Sequence, residues 1–230
     1  MKITVQKTEQ KLEYEVQNCI TVLDALRKIK QTQDAALAFR SGCRSGVCGS
    51  CAVMLNNKEV LACTTTIEDG DEVAPLRGKV EKDLVIEIQK QLGLTTKAKG
   101  YMQVYEKTAL TKDDELLNAL QSDCILCGAC YSACPVVVYN SEFLGPFALT
   151  RSWRYLSDKR ESNKSSKVSA VNVNGIWDCT LCNECSLVCP QGISSKSDIE
   201  KLRMRSVSLG YNDPNAGSFG GFDPFGGVSF

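Results

Sequence analysis

The chain has 230 residues, with 27 basic and 27 acidic side chains and no histidine. The even charge balance offers no broad positive field for nucleic acid, and the missing histidine excludes histidine-ligated haem, Rieske-type ligation and Ser-His or Cys-His catalysis from this chain. No run approaches the roughly 18 apolar residues of a membrane span, and the opening MKITVQK carries neither a cleavable signal nor a twin arginine. Any membrane attachment is therefore expected through a partner.

In chain order, KITVQK and LEYEV alternate with the two-residue period of strands around a short polar break, which predicts a hairpin. Thr21 caps a helix whose apolar positions Val22, Leu23, Leu26 and Ile29 share one face, with Asp24 placed to complete the cap. A hairpin followed by a helix opens a β-grasp fold. Residues 39–51 carry Gly42, Gly46 and Gly49, as a backbone wrapped tightly around a bound group requires. CAVML and residues 60–63 read as two strands around an Asn-Asn-Lys turn, with Cys51 and Cys63 on neighbouring strands. TTKAKG, ending at Gly100, reads as a linker.

Beyond it strand patterns fade. Thr111 heads a helix running through Leu116, Leu117 and Leu120. A basic and aromatic cluster follows, Arg151, Trp153, Arg154, Tyr155, Lys159 and Arg160, which suits equally a partner-facing patch or a solvated helix face with Trp153 in the core. ESNKSSK reads as a loop, and a helix over 197–209 is stopped by Gly210. Residues 211–230 are rich in Gly, Phe, Asp and Pro, and their four phenylalanines suggest an extended tail lying on a partner.

Twelve of the thirteen cysteines fall into three groups. Cys43, Cys48, Cys51 and Cys63 have the plant-type spacing of a 2Fe-2S cluster, C-x4-C-x2-C and a distant fourth. Cys124, Cys127, Cys130 and Cys134, then Cys179, Cys182, Cys185 and Cys189, each form the run C-x2-C-x2-C-x3-C-P, in which the fourth cysteine serves the other cluster of a pair. Cys124, Cys127, Cys130 and Cys189 are thus expected around one 4Fe-4S cluster, and Cys134, Cys179, Cys182 and Cys185 around a second. Pro135 and Pro190 turn the chain away from each ligand run. Two four-cysteine zinc sites are the competing reading, but zinc spacing explains neither the third close cysteine nor the repeated C-P ending. Cys19 stands apart and reads as a small buried hydrophobe. The expected fold class is α+β: a β-grasp plant-type ferredoxin domain over 1–97, an all-α two-cluster ferredoxin domain over 98–210, and the tail.

CRSGVCGSCAVMLN, DCILCGACYSACPVVVYN, EFLGP, WRYLSDKRE and CTLCNECSLVCPQGI together resemble the iron-sulfur subunit of succinate dehydrogenases and fumarate reductases, over residues 1–209. The resemblance implies an electron-transfer subunit between a FAD-containing catalytic subunit, where fumarate or succinate reacts, and a membrane subunit that handles quinone. Typical members lack a cysteine where Cys182 stands and hold a 3Fe-4S cluster through the equivalents of Cys134, Cys179 and Cys185. With Cys182 present, a second 4Fe-4S cluster of lower potential is expected, within the range of about −700 to +450 mV that such clusters span.

Typical quinone-binding members also carry a tryptophan and a histidine where this chain has Tyr139 and Thr180. The resemblance therefore points to the variant class of methylmenaquinol:fumarate reductases, which pair with a cysteine-rich membrane-associated subunit. The cytoplasmic face is the default location, and co-export with the flavin subunit would give the periplasmic one. The competing readings are the iron-sulfur subunit of another flavoenzyme (a thiol-linked fumarate reductase, a glycolate or glycerol-phosphate oxidoreductase) and a freestanding ferredoxin-like carrier.

Overall fold

A computed structural model describes residues 1–214. The N-terminal half is built on a five-stranded sheet. Strands β1 (Lys2–Gln6) and β2 (Lys11–Glu15) form the expected hairpin, with Ile3 opposite Tyr14 and Val5 opposite Leu12. β3 (Ala52–Leu55) and β4 (Lys58–Leu61) form a second hairpin, whose turn is the left-handed pair Asn56 and Asn57 alone; Lys58 already belongs to the strand. Short-chain polar residues tolerate that conformation best. β5 (Glu72–Ala74) joins the hairpins, parallel to β1 and antiparallel to β3, giving the order β2-β1-β5-β3-β4.

Helix α1 (Val22–Thr32) starts at a reciprocal cap: the Thr21 hydroxyl accepts from Asp24 N–H, and the Asp24 carboxylate accepts from Thr21 N–H. Its buried face, Val22, Leu23, Ala25, Leu26 and Ile29, packs with Ile3, Val5, Val53, Leu61 and Val73 in the first core. Each such fully buried aliphatic contributes about 1.5–3 kcal/mol. A small hairpin, β6 (Val80–Lys82) with β7 (Val85–Ile86), closes this half.

The segment expected as a linker is instead the end of helix α2 (Gln89–Lys97). Leu94 and Ala98 lie in the second core, so the backbone there is packed. The rest of this half comprises α3 (Lys112–Leu116), α4 (Ala119–Ser122), α5 (Ala129–Ser132), α6 (Pro135–Tyr139), α7 (Pro146–Ser157), α8 (Lys164–Val171), α9 (Glu184–Leu187) and α10 (Ser195–Val207). Thr111 caps α3 as expected, but the helix breaks after one turn and Leu116, Leu117 and Leu120 are exposed. The side chain that enters the interior from α4 is Gln121, which donates to Asp198 Oδ1 at 2.8 Å.

ESNKSSK is not a loop throughout, because α8 begins inside it at Lys164. The cause is a fully buried ion pair. Lys167 Nζ lies 3.0 Å from Glu161 Oε2, both side chains being inaccessible to solvent. Lys167 also donates to the carbonyls of Lys99 and Tyr101, and the Glu161 carboxylate accepts from the N–H groups of Gln103, Val104 and Asn163. The pair thereby fastens residues 99–104 onto the helical core. Ser132 docks the two halves: its hydroxyl donates to Glu59 on β4 at 2.8 Å and accepts from Arg77 N–H at 3.0 Å. Of the expected tail, residues 215–230, with all four phenylalanines, lie outside the described residues.

Candidate functional site

Three thiols of the first group, Cys43, Cys48 and Cys51, sit on the loop between α1 and β3, while Cys63 lies just past the end of β4, so Cys51 and Cys63 flank neighbouring strands and do not lie on them. Backbone N–H groups turn inward onto sulfur: those of Ser45, Val47 and Cys48 donate to Cys43 Sγ at 3.4, 3.3 and 3.3 Å, that of Cys43 to Cys48 Sγ at 3.4 Å, and that of Gly46 to Cys63 Sγ at 3.3 Å. Such donors favour the thiolate. The backbone N–H of Ser45 is the largest influence drawing the Cys43 thiol down to about 6, and the Ser50 hydroxyl leads in lowering Cys48. Cys51, immediately before β3, is pushed up to about 11 by burial. The inward turn requires left-handed backbone at Arg44, Gly46 and Gly49. Gly42 lies outside that conformation, and its requirement is space: a Cβ there would lie 3.0 Å from Cys48 Sγ.

The two runs of the helical half share one backbone design. In CILCGAC, Leu126 and Gly128 are left-handed (φ 53° and 83°); in CTLCNEC, Leu181 and Asn183 are (φ 56° and 74°). Each run then enters a one-turn helix, α5 or α9. A leucine in this region costs about 1–3 kcal/mol. The return is a sulfur-directed N–H: Leu181 N–H donates to Cys179 Sγ at 3.4 Å, and that of Leu126 acts likewise on Cys124. The two leucines were missed as functional positions, although the repeated C-x-L-C was there to signal them.

Cys124, Cys127, Cys130 and Cys189 line one cavity whose walls are largely apolar, Phe147 and Ile193 among them. Burial pushes the Cys127 thiol up to about 11 and that of Cys130 well above its ordinary range. Cys134, Cys179, Cys182 and Cys185 form the other group. Cys134 feels the charges of Cys179 and Cys182, and Cys185, raised to about 11 chiefly by burial, feels those of Cys179, Cys134 and Cys182. Cys130 feels Cys185 as well as its own group, so the two helical sets adjoin. The first set adjoins them too, because Gly49 backs directly onto Cys127.

Sets of four thiols, some held up by burial and others drawn down by N–H donors, have the donor chemistry of a soft metal site: they give up their protons to a cationic group that takes the charge. Among the described residues, no group of three or more Cys, Asp or Glu side chains is placed to hold a metal ion. Arg203 supports the last set. Its Nε donates to the Ile176 carbonyl at 2.8 Å and its Nη2 to the Cys179 carbonyl at 2.6 Å, with the guanidinium 5.5 Å from the Trp177 ring centre. Burial raises the Cys179 thiol, and the positive charge of Arg203 acts against it.

Residues 2–93 match the family described as 2Fe-2S iron-sulfur cluster binding domain, and residues 120–193 the 4Fe-4S dicluster domain. The chain is 36% identical over 212 residues to the fumarate reductase iron-sulfur subunit of Haemophilus influenzae, with 83% of each chain covered. It belongs to the iron-sulfur subunit family of succinate dehydrogenases and fumarate reductases. A second family member, the 8-methylmenaquinol:fumarate reductase iron-sulfur subunit of Wolinella succinogenes, is 34% identical over 209 residues, covering 84% of this chain and 66% of that one. The fold of this chain is matched by a chain of the Mycobacterium smegmatis Sdh1 complex in the apo form, at TM-score 0.80 and 23% identity, covering 93% of this chain and 98% of that one.

The other singled-out residues fall into place around these sets. Tyr139 is 90% exposed, and Thr180 is exposed as well. The basic and aromatic cluster is largely spent within the chain: Arg151 Nε donates to the Gly100 carbonyl, Arg154 lies over the Tyr155 ring, Lys159 pairs with Asp114, and Arg160 pairs with Asp158. Trp153 packs against the second core with Lys201 over its ring. Cys19 is half-buried against the first core. Among the described residues, no helix is long and apolar enough to cross a membrane.

Proposed function

We propose that this chain is the electron-carrying subunit of a fumarate reductase or succinate dehydrogenase of the variant class. It would stand between a FAD-containing catalytic subunit and a cysteine-rich, membrane-associated subunit that reacts with quinone. Cys43, Cys48, Cys51 and Cys63 would hold a 2Fe-2S cluster; Cys124, Cys127, Cys130 and Cys189 a proximal 4Fe-4S cluster; Cys134, Cys179, Cys182 and Cys185 a distal 4Fe-4S cluster. Bound in these sets, such groups supply one-electron oxidation and reduction, the step into which two-electron flavin chemistry must be divided.

The observation that carries this reading is the contact between the two cysteine-bearing halves, where Gly49 lies against Cys127, beside two C-x2-C runs that share one left-handed backbone design. The chain's own residues do three things for it. Inward N–H groups stabilise thiolate on Cys43, Cys48 and Cys179. The wall that includes Phe147 and Ile193 keeps water from the proximal set. Arg203 and the left-handed leucines fix the ligand runs in place. The expected division at residues 97 and 98 falls at the C-terminal end of α2, whose Leu94 packs in the second core, so α2 would go with the second of the two cluster-bearing domains. Membrane association would come through those partners, on the cytoplasmic face unless the complex is exported with its flavin subunit.

The test is anaerobic purification of tagged chain from its native host, with iron, zinc and flavin analysis. We expect about ten irons for one 2Fe-2S and two 4Fe-4S groups, a co-purifying flavoprotein, and fumarate-dependent reoxidation of the dithionite-reduced complex that requires that flavoprotein. Zinc in place of iron, or a monomer whose flavoproteins leave fumarate untouched, would overturn the reading.

A further inference from the structure

The ligand loops of the two domains meet at Gly49, between ligands Cys48 and Cys51. Its backbone is left-handed (φ 70°), and a Cβ there would lie 2.8 Å from Cys127 Cβ, 3.0 Å from Cys127 Cα and 3.1 Å from the Ile125 carbonyl oxygen. No side chain can simply swing aside, because what it would strike is backbone and the first carbon of a ligand. A second contact holds the same loop from the same side: Gln191 Nε2, two residues past Cys189, donates to the Gly46 carbonyl at 3.4 Å. The other two glycines of the loop face inward. A Cβ at Gly46 would meet Thr64 of its own domain at 3.1 Å, and one at Gly42 would meet Cys48 Sγ.

We propose that Gly49 is a positioning residue for electron passage between the domains. Its missing side chain lets the loop carrying Cys48 and Cys51 lie against Cys127, and this closeness sets the rate of crossing between the first and second ligand sets. The inference rests on the ligand sets of the proposed function. In the crossing, one electron leaves the group on one set, which is oxidised by one unit, and enters the group on the other, which is reduced by one. No bond forms or breaks and no proton moves. Wave-function overlap falls steeply with separation, so a small displacement at this contact acts on the rate. The potentials stay where the N–H donors and burial around each set put them.

The test uses the intact complex with its flavoprotein, carrying Gly49→Ala, Gly49→Asn or, away from the ligand loops, Gly70→Ala. Asparagine tolerates left-handed backbone, as Asn56, Asn57 and Asn183 do in this chain, so Gly49→Asn separates bulk from strain. Gly70→Ala carries comparable strain (φ 85°) with open space for its Cβ. Iron content and the separate paramagnetic signals of the reduced groups come first, since these alone would expose a failure of the ligand sets. The magnetic splitting between the first and second groups is then measured, and each is followed by rapid freezing after fumarate addition.

Both Gly49 variants are expected to keep their iron and potentials, to show weakened splitting, and to reoxidise the second group several-fold more slowly than the first, with Gly70→Ala like the parent. Unchanged splitting with no lag in the Gly49 variants would overturn the proposal. So would a lag in Gly49→Ala that Gly49→Asn lacks, which would make backbone strain the cause. Loss of the first group's iron from both Gly49 variants but not from Gly70→Ala would also overturn it, by giving Gly49 a role in holding that group.

Discussion

At Cys43 and Cys48 the thiols lie at the surface and are prepared by hydrogen bonds, whereas in the helical half most are partly or fully buried and raised by that burial. Cys43 and Cys48 are exposed, and inward N–H groups draw both thiols down. Cys134 and Cys185 are buried, as is the Cys130 thiol, and burial raises all three. The cores differ in the same way. The first is a sheet and a helix whose aliphatic contacts are complete apart from the ligand loop, with Cys51 alone of the ligands fully enclosed in it. The second counts Cys134 among its members, with Cys130 and Cys179 packed against it. With metal bound as proposed, the first domain would keep the core of its sheet and α1, whereas the second, whose short helices α5 and α9 carry the thiols, would depend more on its metal sites for packing.

Removing the iron should expose this difference most strongly. Structural metal sites contribute on the order of 10 kcal/mol to the domains built around them. Chelation under reducing conditions is expected to abolish hydrogen-exchange protection in α5, α7 and α9 while β1, β5 and α1 keep theirs. Equal loss in both halves would contradict the comparison.

A smaller effect, still confined to the helical half, is expected from Lys167→Met. It leaves the Glu161 carboxylate buried without its cation, a change that costs about 3–5 kcal/mol. Denaturant unfolding should show the loss, and the double variant Lys167→Met with Glu161→Leu should recover much of it.

On the other side, Asp34 accepts from Lys7 Nζ at 2.6 Å and from Tyr14 OH at 2.7 Å, tying the first hairpin to the end of α1. The Lys7 bond leads in lowering its carboxyl to about 2 from the ordinary 3.8. Because the folded value is depressed, the contribution is present above pH 3.8 and fades as pH falls through about 2. Asp34→Asn should cost about 1–2 kcal/mol near neutrality, with the two proteins converging in acid. Arg203→Gln should disturb stability least. It should lower the midpoint potential of the distal group by removing a nearby positive charge, with Arg203→Lys restoring part of the shift in a redox titration followed by paramagnetic resonance.

The two cluster-binding domains were legible because the cysteine spacing that lets one loop supply three ligands is itself the chemical requirement. The hairpin and α1 were legible because Thr21 and Asp24 act within one turn, and because the strands alternate. What escaped notice depends on long-range partners. Nothing local marks Lys167 as buried, since its partners Glu161, Lys99 and Tyr101 come together only in the fold. Leu116, Leu117 and Leu120 have helical spacing and yet face outward, while Gln121 takes the inside position by bonding to the distant Asp198. Leu126 and Leu181 adopt a conformation leucine disfavours because their N–H groups turn toward sulfur, which a propensity argument runs against.

The central claim is that Cys182 completes a four-thiol set with Cys134, Cys179 and Cys185. It is tested most directly by low-temperature paramagnetic resonance of the oxidised, anaerobically purified protein and its Cys182→Ser variant. The parent should be silent in the region of an oxidised 3Fe-4S signal, and the variant should gain that signal with the loss of about one iron. A full-occupancy 3Fe-4S signal in the parent, unchanged in the variant, would contradict it.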